Sequence, residues 1–160
     1  MDKPEEQKTI VLPDDLTISP DGTALFSINE VGAIQGDYRG VFHLRCYLNP
    51  LDSLAAGREF RNLLGQYGDS AGEGDRYTAF CASQLGHRVI KGPPWWTANN
   101  QAGNIPDLNV LSTILDRALT AEAYYKQHLV KRKEEALEKA QKAAQALHES
   151  LNPKKKEEEK

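Results

Sequence analysis

The sequence predicts an α+β protein: an N-terminal antiparallel β-sheet or hairpin packed on two short helices, followed by one long C-terminal α-helix. Three observations carry this. Apolar residues alternate with period two in Leu16 to Ser19, Thr23 to Ile28 and Val41 to Leu48, and the period changes to about 3.6 at Asn49-Pro50. From Asp107 to Leu151 no proline or glycine interrupts a stretch dense in Ala, Leu, Glu, Lys and Gln, the strongest helix formers. A chain of 160 residues has room for one domain with a real core and a non-globular extension. The expected organisation is a flexible arm over 1–8, an α+β domain over 9–106, a long helix over 107–151 whose second half projects, and a disordered charged tail over 152–160.

The arm, "MDKPEEQK", is charged and carries a proline, and "TIVL" (Thr9 to Leu12) then offers a short β-prone segment that Pro13 ends. Leu16 to Ser19 and Thr23 to Ile28 alternate on either side of Pro20-Asp21-Gly22. There proline presets φ and glycine accepts a positive φ, so the pair reads as a hairpin. Gly32, Gly36 and Gly40 lack the spacing of a dinucleotide-binding fingerprint and lead into a strand, which makes them turn or bulge glycines. In the strand Val41 to Leu48, Phe42, Leu44, Cys46 and Leu48 share the buried face.

Asn49 is a good N-cap and Pro50 fits the first helical position. Leu51, Leu54, Phe60, Leu63 and Leu64 supply the apolar stripe of the helix that follows, with Gly65 as its stop. "QYGDSAGEGD" reads as a polar loop, and Asp75 to Leu85 as a second short helix stopped at Gly86, with a brief extended run over His87 to Ile90. Asp107 is the N-cap candidate of the long helix. Leu111, Ile114, Leu115, Ala118, Leu119 and Tyr125 are expected to pack its first half on the domain. In its second half Leu137, Ala140, Ala144, Leu147 and Leu151 recur with heptad spacing.

A formal charge of -3 removes the global attraction that drives binding to duplex nucleic acid, so no nucleic-acid partner is expected. No signal-peptide core opens the chain, and no apolar run approaches the roughly 18 to 20 residues of a membrane span, so neither export by a signal peptide nor a membrane partner is expected. Cys46 and Cys81 sit among apolar or aromatic neighbours, outside any C-x-x-C, and read as free buried thiols. His43, His87, His128 and His148 have no metal-ligand spacing, Glu122 and Glu135 being poorly placed for His128. No nucleophile elbow, phosphate-binding loop or paired-carboxylate pattern appears, so no enzyme activity, cofactor or metal is expected.

The least ordinary stretch is "GPPWWTANNQAGNIPDLNVL", Gly92 to Leu111. Its Pro-Pro strut and tryptophans suit a joint that pins the long helix with at least one tryptophan buried, but also a protein interface or a small-molecule site. Trp95 and Trp96, with Leu137, Ala140, Ala144 and Leu147 on the C-terminal helix, are the candidate partner-binding residues. The helix they share a role with can equally be a solvated extension or a docking helix.

Taken in order, "GDYRGVFHLRCYLNPLD", "AGREFRNLLG", "AFCASQLGHRVIKGPPWW" and "IPDLNVLSTIL", followed by a Tyr- and Lys-rich helix, resemble a family of small tailed-bacteriophage proteins encoded among virion structure and assembly genes. The resemblance spans roughly Leu16 to Leu129. It implies a non-enzymatic virion structural or assembly protein, with head, tail and tail-assembly-chaperone roles all open. Other virion or assembly proteins would be its partners, self-association is compatible, and its location would be the virion or the host cytoplasm during assembly. The alternative from the residues themselves is an intracellular small-molecule-binding module or enzyme that uses the Trp95/Trp96 loop.

Overall fold

A computed structural model describes residues 12–98 and 101–151. The expected arm, Thr9 to Val11 and the tail beyond Leu151 lie outside the described residues, and Leu12 lies outside any strand, packed against the core. The architecture is α+β, as the two periodicities require. The Pro20-Asp21-Gly22 turn joins β1 (Leu16–Ile18) to β2 (Thr23–Val31). Asp21 fixes the turn by accepting from the Thr23 amide at 3.0 Å and the Thr23 hydroxyl at 2.7 Å. A second hairpin runs through Gly32 and Gly36, the Gly32 amide bonding the Gly36 carbonyl at 2.6 Å, into β3 (Asp37–Arg45). β3 pairs with the whole of β2, from Thr23↔Arg45 to Val31↔Asp37. β4 (Val89–Lys91) completes an antiparallel sheet in the order β1-β2-β3-β4.

Alternation sorts the sheet as expected. Ala24, Phe26 and Ile28 of β2 and Tyr38, Phe42 and Leu44 of β3 are buried, whereas Leu25 and Val41 face outward. Cys46 is fully buried one residue past the end of β3. The helix α1 (Pro50–Leu64) starts where sequence places it, because the Asn49 side chain accepts from the Asp52 amide at 2.8 Å.

The packing of α1 corrects the expected stripe. Leu51, Leu54 and Leu63 are 78%, 67% and 54% exposed, and the buried residue of this helix is Ala56. α1 packs on α2 (Glu73–Arg88), and the side chain it buries is the small Ala56, which allows close approach while these leucines lie outward. The expected polar loop between them contains a 3-10 turn, Gly65–Ser70.

α2 also passes through Gly86, where a stop was expected, and ends at Arg88. The physical reason is Arg88 itself. Its buried guanidinium donates to Glu122 at 2.6 Å and to the Cys46 carbonyl at 3.3 Å, a pairing reached by carrying the helix past Leu85 to Arg88. The chain then enters β4, the extended run expected near His87 to Ile90.

A short α3 (Pro94–Ala98) and a 3-10 turn (Gln101–Asn104) precede α4 (Leu108–Leu151). Val110, Leu111, Ile114, Leu115, Ala118 and Ala121 of α4 share one buried cluster with the sheet and with Cys81 and Leu85 of α2. Leu119, expected in that contact, is 40% exposed. The chain divides into two compact units, one ending at Tyr125 and the other beginning at Lys126. In the second, Leu129, Val130, Leu137 and Leu147 are exposed. Among the described residues no helix is long and apolar enough to cross a membrane.

This division of labour sets an expected contrast. Ile114→Ala should cost about 2 to 5 kcal/mol of stability, because it opens a cavity in a closed core. Leu54→Ala should stay within about 0.5 kcal/mol. Chemical denaturation of the two variants checks both, and a large loss at Leu54 would show that α1 buries its leucines in solution.

Candidate functional site

Within the stretch from Gly92 to Leu111, Pro93, Trp95 and Trp96 pack on the inner face of β3. Pro93 is buried directly over Gly40, where an added Cβ would lie 2.5 Å from the proline ring, so this sheet position must be glycine for the loop to seat. Pro94 opens α3, and the Trp96 amide returns to the Pro93 carbonyl at 2.9 Å. The Trp96 ring is then driven inward. It is 2% exposed and meets Phe42 edge to face at 5.2 Å.

Trp95 is half-buried, packed on Tyr38 at 4.9 Å and Phe42 at 5.7 Å, and its indole N–H donates to the Arg39 carbonyl at 2.8 Å. Phe26 stacks on Phe42 at 5.4 Å. A tryptophan joint against the domain was expected here, and the buried Trp96 meets that expectation. Trp96 was also a candidate partner contact. Its ring is enclosed by the domain's own core, which leaves Trp95 as the more accessible of the two.

The second half of the stretch is held by charge. Asp107 is 2% exposed, and its carboxylate accepts from the Ile34 amide at 2.8 Å, the Gln35 amide at 3.0 Å and the Tyr38 hydroxyl at 2.8 Å. Successive amides at the tip of the β2–β3 hairpin thus form an anion-binding concavity, and the protein fills it with its own carboxylate. Gly32 borders it closely, since a Cβ there would collide with Asp107 and Tyr38.

Asp107 does stand at the start of α4, where its backbone carbonyl accepts from Leu111 at 3.4 Å. The expected capping position is therefore occupied by this residue, while its side chain serves a tertiary contact. Burial raises the Asp107 pKa, but the hydrogen bonds from Tyr38, Gln35, Ile34 and Ala33 together outweigh it and hold the carboxyl below 3.8. Burial first, then donation to Asp107 and the nearby negative charge, push Tyr38 from 10.0 up to about 12.

The remaining candidates are not brought together. Cys46 and Cys81 are free and buried as expected. Burial first, and the Asp21 charge second, raise the Cys46 thiol to about 11, and burial likewise raises Cys81. His87 lies 2.9 Å from Glu59 and joins α1 to α2, while His43 is on β3 and His128 and His148 are on α4. Among the described residues no group of His, Cys, Asp and Glu could hold a metal ion, and no buried side-chain polar atom lacks a partner. Leu137, Ala140, Ala144 and Leu147 lie exposed along α4, flanked by a Glu138–Lys142 pair at 2.6 Å. Two residues that matter to the geometry, Tyr38 and Arg88, were not singled out from sequence.

Two outcomes are expected. Because the folded-state pKa of Tyr38 is raised, its contribution is fully present below pH 10 and is lost as pH rises through about 12. The Asp107 contribution has the opposite sense: it is present above 3.8 and is lost as pH falls through its lower folded-state value. Urea midpoints of the wild type should therefore fall both above pH 10 and below pH 4, roughly. Tyr38→Phe should start lower but lose less on the alkaline side, and equal alkaline losses would contradict the contact. Separately, a thiol-specific disulfide reagent at about pH 8 should label Cys46 and Cys81 only after denaturation. Rapid labelling of the native protein would place one of them at the surface.

Comparison with family models, curated proteins and solved structures finds no match for this chain.

Proposed function

We propose that the chain is a non-enzymatic protein that acts by occupying the surfaces of other proteins, as a structural or assembly component of a tailed-bacteriophage virion. The observation that carries the surface-acting part is the apolar seam of α4. Leu137 and Leu147 are 61% and 62% exposed, and Ala140 and Ala144 complete a heptad spacing between them. A helix with such a seam gains stability when a partner covers it. Two further observations support the reading. The Trp95 indole N–H and the Asp107 carboxylate are both engaged within the domain.

The virion part rests on the resemblance carried by "GDYRGVFHLRCYLNPLD", "AGREFRNLLG" and "AFCASQLGHRVIKGPPWW". Head, tail and chaperone roles share this chemistry, with the virion or the host cytoplasm during assembly as the location. A small-molecule or enzymatic use of Trp95 and Trp96 draws no support from a loop whose rings pack on Phe42 and on Tyr38.

Co-expression of the chain with the proteins encoded beside it should yield a co-purifying virion or assembly protein. Leu137→Glu/Leu147→Glu should weaken that capture by about 30-fold or more, the effect of losing a central interface contact. Its thermal unfolding should match the wild type. If no co-expressed virion protein is captured, or if capture ignores the seam, the proposal fails.

A further inference from the structure

An open groove of ≈ 540 Å³ lies among the end of α1, the first turns of α2 and the segment that follows α3. Its apolar lining comes from Leu63 and Leu64, from Ala79 and Ala82, and from Ala102 and Ile105. The alanines keep it open, since small side chains let another backbone approach closely. Its volume falls within the usual range of binding pockets.

Acidic residues stand at its rim. Asp75 belongs to the lining, and Asp69 and Glu73 stand exposed on the adjoining segments. Of the cations on the same segments, Arg61 stands in the last turn of α1, and Arg76 is turned back on the backbone, with its guanidinium donating to the carbonyls of Gly68, Asp69 and Ala71 at 2.8, 3.1 and 3.1 Å. An occupant that suits this groove is apolar at its centre and basic at its edges.

The chain carries such a segment. Between Lys126 and Lys133 stand Lys126, Lys131, Arg132 and Lys133, with no acidic residue among them, around Leu129 and Val130. This stretch is helical, and Leu129 and Val130 are 37% and 49% exposed. We infer that the groove receives the Leu129–Val130 face of α4 from a second copy of the chain, with that copy's lysines and arginine set against Asp69, Glu73 and Asp75. The apolar pair gives the contact its buried area, and the opposed charges set its orientation. Donor and acceptor surfaces differ, so every copy offers one of each, and the contact propagates head to tail into a ring or an open filament. This assembly does not depend on the virion reading, whose test is the Leu137/Leu147 seam.

Sedimentation of the full chain over a concentration series tests the inference. The wild type should associate with rising concentration, and added salt should weaken the association. Ala82→Trp fills the groove, and Leu129→Glu/Val130→Glu removes the inserted face. Each variant alone should sediment as a monomer, whereas an equal mixture should form a one-to-one dimer that grows no further, because it holds one intact groove and one intact helix in contact. Asp75→Lys, which places no bulk in the groove, should weaken wild-type association by about tenfold or more. A wild type that is monomeric throughout overturns the inference. So does association that survives Leu129→Glu/Val130→Glu, or a mixture as monomeric as its parts.

Discussion

A carboxylate removed from water organises the domain. Asp107 has almost no solvent contact, so its charge survives only where donors surround it, and those donors are the amides of the β2–β3 hairpin tip and the Tyr38 hydroxyl. Satisfying this one group therefore fixes three things together: the conformation of the tip, the rotamer of Tyr38, and the point at which α4 begins. Tyr38 then braces Trp95, whose indole N–H is bonded to the backbone of the same strand. The hairpin, the tryptophan loop and the start of α4 thus form one mechanical unit.

A second buried charge acts at the other end of the same core. Arg88 links the end of α2 to Glu122 of α4 and to the Cys46 carbonyl just beyond β3. A pair of this kind adds little net stability over an apolar substitute, because desolvation offsets its attraction. Its geometric demand is strict, however: three elements must meet at one guanidinium. Between the two charges lies the apolar packing of Phe42, Leu85, Leu111, Ile114 and Leu115, which supplies the burial energy without fixing direction.

The apolar surface left over has no such polar anchoring. Leu51 and Leu54 of α1, and Leu129, Val130, Leu137 and Leu147 of α4, are exposed on helices otherwise rich in charge. Charged neighbours around an exposed apolar face select what covers it. The groove among α1, α2 and the segment after α3 is lined by the small residues Ala79 and Ala82.

Local chemistry made much of the fold legible. Alternation in "TALFSI" and "VFHLRC" determined which side chains face inward, Pro20-Asp21-Gly22 determined the first turn, Asn49-Pro50 determined the start of α1, and uninterrupted helix formers determined α4. The same alternation places Tyr38 in phase with Phe42 and Leu44, a cue to its burial that lies in plain view. That one of the two tryptophans is buried was also within reach, because a proline-stiffened loop with two large rings suits a joint as well as an interface or a ligand site. What tertiary structure alone decided were the pairings across long sequence separations and the choice between faces. Asp107 meets Ile34 across 73 residues and Arg88 meets Glu122 across 34, and no local pattern marks an aspartate or an arginine as bound for a distant partner rather than for water. The α1 leucines show the limit most plainly. A helical period tells which residues share a face, but the neighbour that fits against α1 through Ala56 decides which face is buried, and that neighbour is set by the packing of the whole domain.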